Sequence, residues 1–315
     1  MNFYSNGKLL LSGEYVVLDG AKALAVPTKY GQSLTVTPID LPNPIEPPKL
    51  VWKSYDFRDI IWYQRSFEID SFRNKGSHTD AVSQTLHGIL QEAKRLNPTF
   101  LNGESSFEVQ TTLSFPQNWG LGSSSTLIHN IALWANVNPY TLLWNAFKGS
   151  GYDIACAKHN SPIIYELQQQ APKVTEVDFL PSFSNQLYFV HLNKKQNSRN
   201  AIESYTARKG TIANEIKVIN AITIEMTKTN SLVDFELLLK EHEQLIADII
   251  QETPVQERLF ADYFGQIKSL GAWGGDFVLA TGNDDTEAYF EAKGYETVIP
   301  FDEMILSEPN TDSQI

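Results

Sequence analysis

Pro116-Gln117-Asn118-Trp119-Gly120-Leu121-Gly122-Ser123-Ser124-Ser125 places two glycines and three serines directly before a segment with helical periodicity. Leu127, Ile131 and Trp134 recur at i, i+4 and i+7, with Ile128, Ala132 and Ala135 on the adjoining rows. This pattern predicts a helix over residues 126–137, capped by one of the serines. A helix N-terminus carries unpaired N–H groups and partial positive charge, and glycine lets a polyanion approach the backbone with no Cβ in the way. The stretch reads as a seat for nucleotide phosphates, or more plainly as a turn and cap, for which Gly and Ser are ordinary vocabulary. Neither G-x-x-x-x-G-K-[ST] nor a G-x-G-x-x-G after a strand occurs. A nucleotide bound here is held by neither a P-loop nor a Rossmann unit.

The 315 residues, 42% of them hydrophobic, give room for two domains with substantial cores. Twenty-five Lys+Arg against 37 Asp+Glu leave a net charge of -12, which argues against nucleic acid and anionic membrane as partners. The only basic concentration is Lys194-Lys195. The N-terminus lacks the regions of a signal peptide, and no apolar run approaches the roughly 20 residues that span a bilayer, so the cytoplasm is the expected location; a monomer or homodimer is expected, the sequence itself not fixing which. The single cysteine, Cys156, has no internal disulfide partner and lies among small apolar residues, where a thiol is usually buried and inert. His242-Glu243 is followed by Ile246 where a metalloprotease helix requires a second His.

Outward from the loop, Leu9-Leu10-Leu11, residues 15–18 and the alternating Leu34-Thr35-Val36-Thr37 predict strands, and the aromatic stretch around Trp52 and Trp62 a hairpin. Val82, Leu86, Ile89, Leu90 and Ala93 mark the buried stripe of a helix over about 79–96. Residues 105–114 predict a strand, Asn138-Pro139 opens a helix to about Phe147, a short element begins at Tyr152, and 162–167 predict another strand. Turn chemistry near 180–185 divides the chain into an N-terminal domain, 1–182, a C-terminal α+β domain, 183–306, and a polar tail, 307–315. The second domain opens with a strand over 186–192. Three helical stretches follow, through Ile212–Met226, Phe235–Ile249 and Leu259, Tyr263 and Ile267, then a strand at 277–280, a helix at 286–293 and a strand at 297–301.

Three glycine-containing segments stand in order along the chain: Gly7-Lys8-Leu9-Leu10-Leu11-Ser12-Gly13-Glu14-Tyr15, the loop at 120–125, and Gly271-Ala272-Trp273-Gly274-Gly275-Asp276. Together they resemble the motifs of the GHMP kinases, the superfamily of galactokinase, homoserine kinase, mevalonate kinase and phosphomevalonate kinase. The central motif, P-x-x-x-G-L-G-S-S, is matched letter by letter from Pro116 to Ser124. Gly151-Tyr152-Asp153-Ile154-Ala155 resembles a bacterial subgroup named for those letters, and the nearest branch is that of the mevalonate-pathway kinases. The resemblance implies an α+β, two-domain fold, with an N-terminal domain like domain 2 of ribosomal protein S5 and a ferredoxin-like C-terminal domain. It also implies ATP and Mg²⁺ as cofactors and a small molecule, mevalonate or phosphomevalonate, as acceptor.

Residue by residue, the resemblance assigns the phosphates to Gly120, Leu121, Gly122, Ser123, Ser124 and Ser125, Mg²⁺ to the Ser123 hydroxyl, and catalysis to Asp153 and Lys8. Asp153 would accept the proton of the attacking hydroxyl or phosphate, or orient it, and a nearby lysine would lower the pKa of both the acceptor and the attacking alcohol. Gly271, Ala272, Gly274 and Gly275 form the third loop, and Ser198 and Arg199 resemble a substrate-side loop. Glu14 supports the first loop. Plainer readings stand beside these: Asp153 as a helix cap, Lys8 as a solvated edge residue, Ser198-Arg199 as a solvated basic turn. The chain departs from mevalonate kinases where a glutamate about eleven positions before the catalytic aspartate helps to hold Mg²⁺. Leu142 stands there, and no carboxylate occurs between Asn138 and Tyr152. A non-catalytic nucleotide sensor, a sugar or amino-alcohol kinase and a decarboxylase of the same fold are the alternatives.

Overall fold

The computed structural model describes residues 1–39, 46–73, 80–103, 105–169, 171–194, 202–203, 205–207 and 210–307. They form two compact units, each gathered from separated pieces of chain: 1–7, 30–117 and 122–158 in the first, and 8–29, 118–121 and 159–315 in the second. This partition differs from the boundary expected at 182/183, because strands β1 (Asn2–Leu10) and β2 (Ala23–Ile39) each contribute residues to both units.

In the first unit the strands run in the order β4-β3-β5-β2. The expected hairpin is β3 (Lys49–Tyr55) with β4 (Ile61–Glu68); β3 lies parallel to β5 (Ser106–Leu113), which pairs antiparallel with β2 over Gln32–Ile39. Alternation sets the buried face: Leu34, Val36, Leu50, Trp52 and Val109 point into one core. That core receives the apolar stripes of α1 (Ala81–Leu96), α2 (Ser123–Ala135), α3 (Pro139–Ala146) and α4 (Tyr152–Lys158). Asp80 caps α1 by accepting from the Ser83 N–H, and Asn138 caps α3 with Pro139 at its first position, contacts worth about 1 kcal/mol each. Val82, expected in the buried stripe of α1, is 42% exposed, since the first turn lies at the rim of the core.

In the second unit, β2 pairs through residues 23–25 with β6 (Ile163–Gln168), which forms a hairpin with β7 (Ala171–Glu176). A separate sheet has the order β11-β8-β10-β9, built from β8 (Leu187–His191), β9 (Ile267–Ser269), β10 (Phe277–Thr281) and β11 (Val298–Pro300). Helices α5 (Ala213–Met226) and α6 (Leu232–Ile250) follow the expected periodicity, and Ile219, Ile246 and Ile250 share a core with Val16 and Ala21. The elements α7 (Val255–Leu259), α8 (Thr286–Ala292) and α9 (Phe301–Met304) complete the unit.

Three expectations are corrected. Residues 15–18 are not a strand: Tyr15 has φ +63° and Val16–Asp19 form a 3-10 turn between Gly13 (φ +82°) and Gly20 (φ +85°). The helix expected through Leu259, Tyr263 and Ile267 stops at Leu259. Gly265 lies with its backbone against the Thr281 carbonyl, and Ile267 starts β9. The last strand ends at Pro300, where α9 begins. Among the described residues no helix is long and apolar enough to cross a membrane.

Candidate active site

The helix after the glycine-serine loop begins three residues earlier than its apolar periodicity indicates. Its N-cap is Gly122, at φ +87°, and no side chain caps it. The expectation of a serine cap is therefore corrected. With φ positive a glycine is the residue that fits, and Ser123, Ser124 and Ser125 form the first turn instead. No side chain caps the start of α2, and in its first turn the Ser125 N–H donates to the Gly122 carbonyl at 2.9 Å; an uncapped helix N-terminus is an arrangement that accepts phosphate.

The Ser125 hydroxyl, buried, donates to the Asp153 carboxylate, whose Oδ1 also accepts from the Ile154 N–H at 3.2 Å. Asp153 lies in the first turn of α4 after Gly151 (φ +93°). Behind it the Tyr140 hydroxyl is pushed up to about 12, first by burial and then by the charges of Cys156 and Asp153. A buried polar ladder fixes α2: Thr126 Oγ1 donates to Gln32 Oε1 (2.7 Å), Asn130 Nδ2 to the Gln32 carbonyl (2.9 Å), and Ser5 Oγ to Asn130 Oδ1 (2.8 Å). These side chains carry no short motif, and sequence reasoning passed over them.

In the second unit the Lys8 ammonium donates to the Gly120 carbonyl at 2.8 Å, and the Lys8 N–H to the Leu121 carbonyl at 3.0 Å. Lys8 is thus no solvated edge residue; it fastens the start of the loop. Gly120 has φ +68°, and a Cβ there would run into the carboxyl group of Asp276. Asn118 and Trp119 are seated by His191, whose Nε2 is hydrogen-bonded to the Asn118 carbonyl at 3.1 Å, and by Phe277, edge-on to Trp119 with ring centroids 5.5 Å apart.

The third loop takes left-handed backbone at Gly271, Trp273, Gly274 and Asp276. Tyr15 Oη donates to the Ala272 carbonyl at 2.8 Å, joining the first and third glycine segments. Beneath them, Glu14 and Lys268 form a fully buried ion pair, with His242 Nε2 at 3.6 Å from Glu14 and accepting from the Gly13 N–H at 2.9 Å. Burial pushes the Glu14 carboxyl up to about 7 despite the Lys268 ammonium, and burial, then Lys268, holds the His242 imidazole well below its ordinary value. Glu14 therefore supports its loop, as the sequence indicated. His242 belongs to that support.

Cys156 is buried. Leu142 is fully buried in the first unit's core, so α3 presents no metal ligand there. Ser198 and Arg199 lie outside the described residues. Among the described residues no three His, Cys, Asp or Glu side chains converge as a metal site. A divalent ion at this loop would have to complete its shell with phosphate oxygens and water, which suits Mg²⁺.

No protein-family model matches the sequence, and no curated protein matches it significantly. In three dimensions the chain is similar to mevalonate kinase from Methanococcus jannaschii, at 16% identity and TM-score 0.69 over 95% of this chain and 96% of that one. It is similar to phosphomevalonate kinase from Streptococcus pneumoniae in complex with phosphomevalonate and AMPPNP, at 15% identity and TM-score 0.67 over 93% and 95%. It is also similar to galactokinase from Lactococcus lactis complexed with galactose, at 15% identity and TM-score 0.65 over 97% and 93%. The chain has the α+β fold shared by these GHMP kinases.

Proposed function

We propose that this protein transfers the γ-phosphoryl group of ATP to a small-molecule hydroxyl or phosphate. The observation that carries the reading is the meeting of an uncapped helix N-terminus with a carboxylate: Gly122 opens α2, and Ser125 in its first turn orients Asp153. The N–H groups of that turn bind phosphate oxygens. Asp153 takes the proton of the attacking oxygen as that oxygen bonds to phosphorus and the bond from phosphorus to the departing diphosphate breaks. Lys8 holds Gly120 in the conformation that keeps the loop open to a polyanion. Mg²⁺, when bound, neutralises the charge developing on the phosphoryl oxygens, with the Ser123 hydroxyl as one ligand.

Among acceptors we favour mevalonate or phosphomevalonate, because Gly13-Glu14-Tyr15 and Gly274-Gly275-Asp276 resemble the phosphomevalonate kinase motifs and two of the similar structures are mevalonate-pathway kinases. Galactokinase shares the fold equally, so sugars form the competing set. We place the protein in the cytoplasm as a monomer or homodimer, and the third loop, Gly271 to Gly275, on the acceptor side. ADP release measured with Mg-ATP against mevalonate, phosphomevalonate, galactose and an amino alcohol tests the reading. Turnover of one acceptor supports it. The buried Leu142 motivates one other reading, a protein that binds nucleotide without turnover; calorimetric ATP binding with no turnover of any acceptor would favour that instead.

A further inference from the structure

A cavity of about 510 Å³ opens within the second unit, and none of its lining residues belongs to the three glycine segments. Small-molecule sites commonly measure roughly 300–1,000 Å³. The floor is apolar: Phe301 and Ile305 are buried, and Phe301 is backed by the rings of Phe179 and Phe189, with centroids 5.8 and 6.2 Å away. Backbone bonds fix the walls. The Leu306 N–H donates to the Pro27 carbonyl at 3.0 Å and Thr28 bridges to Ile305, which sets Lys29 beside the segment that follows α9. On another side the Ser184 N–H donates to the Pro181 carbonyl at 2.9 Å and Ser182 Oγ to the Asn230 carbonyl at 3.2 Å, holding the turn that carries Leu180.

Two opposite charges line this cavity. Among the described residues neither the Lys29 ammonium nor the Asp302 carboxylate has an ion-pair or hydrogen-bond partner, and the two do not pair with each other. Charge then decides which ligand fits. A phosphate or a plain carboxylate is drawn to Lys29 but repelled by Asp302, an amine meets the reverse, and an apolar molecule leaves both charges uncompensated. A zwitterion with an apolar body satisfies the cation, the anion and the floor together. We propose that the cavity binds a free α-amino acid with a large apolar side chain. Its carboxylate meets Lys29 and the Ser184 hydroxyl, its ammonium meets Asp302, and its side chain lies on Phe301, Ile305 and Leu180. The site is separate from the proposed phosphoryl transfer and stands whether or not the glycine-serine loop binds nucleotide.

Saturation-transfer NMR on the full chain, with L-phenylalanine as the probe, tests the assignment. Phenylalanine is expected to bind with a Kd on the order of 1 mM. Its analogues 3-phenylpropionate, which lacks the ammonium, and 2-phenylethylamine, which lacks the carboxylate, should each bind ~10-fold more weakly. Asp302→Asn is expected to weaken phenylalanine ~5–10-fold and to leave 3-phenylpropionate unchanged or tighter. Lys29→Met should weaken phenylalanine to a similar extent and leave 2-phenylethylamine unchanged or tighter. Both side chains are exposed, so the fold survives either change. No transfer to phenylalanine at ~20 mM, an affinity untouched by both substitutions, or equal binding of phenylalanine and its two analogues overturns the site.

Discussion

The hydroxyl of Ser125 donates to the carboxylate of Asp153, tying the first turn of α2 to the proposed proton acceptor. Asp153→Asn removes the acceptor and keeps the shape. It is expected to lower kcat by ~10²–10⁴ with little change in KM for ATP. Ser125→Ala leaves the carboxylate but frees its orientation, and a loss of about tenfold in kcat is expected. Steady-state kinetics on the true acceptor decide; full activity in Asp153→Asn refutes its role.

Gly120→Ala places a methyl group into the Asp276 carboxyl at a backbone angle that L-residues adopt only with strain. Thermal unfolding should show a loss of ~1–3 kcal/mol, and KM for ATP should rise because the loop must shift. Wild-type behaviour in both would mean that the contact is not maintained in solution.

Removing one partner of the buried Glu14–Lys268 pair leaves the other charge without compensation. Lys268→Met is expected to cost about 3–5 kcal/mol in urea unfolding, and the double variant Glu14→Gln/Lys268→Met to recover part of it. Additive losses would show that the two side chains do not couple.

The same pair predicts a pH dependence. Glu14 holds its proton up to about 7 in the folded chain but releases it near 4.5 when unfolded, so its contribution to stability falls as pH rises from 4.5 through 7. His242 works the other way: its folded pKa lies below 6.5, so stability is lost as pH falls beneath that value. Glu14→Gln removes only the first effect. Its stability relative to wild type should improve by ~3 kcal/mol between pH 4.5 and 7. A pH-independent difference would show that Glu14 does not titrate in that window.

Leu142→Glu writes the mevalonate kinase glutamate back into the chain, yet position 142 is fully buried among apolar side chains. We expect a destabilisation of about 3 kcal/mol or more and no gain in Mg²⁺ affinity. A folded variant with tighter Mg²⁺ binding would contradict the placement of this residue.

What was legible in the sequence was local. The glycines at 120 and 122 announced their loop, the apolar spacing of α5 and α6 marked those helices, and Asn138-Pro139 gave the start of α3. Short segments misled: Val16 and Val17 are as apolar as a strand but lie in a 3-10 turn, and Ile267 keeps helical spacing with Tyr263 while pairing in a sheet. β7 escaped notice because it mixes polar and apolar side chains, contains Pro172 and buries none of its residues. Contacts made across the fold left no trace at all. Glu14 and Lys268 stand 254 positions apart, and nothing near Gly120 in sequence indicates that Asp276 will occupy its missing side chain.

The long strand β2 has one further consequence. Its residues 23–29 count with the second unit and 30–39 with the first, and residues 8–22 and 118–121 also pack with the second. A fragment starting at Phe183 would lack three pieces of its own unit, residues 8–29, 118–121 and 159–182, including the Val16 and Ala21 side chains that cover α5 and α6. A fragment ending at Pro181-Ser182 would carry those pieces with nothing to cover. Split expression and domain grafting at that seam are therefore expected to yield aggregating halves, and the turn that looks most like a linker is a poor place to cut.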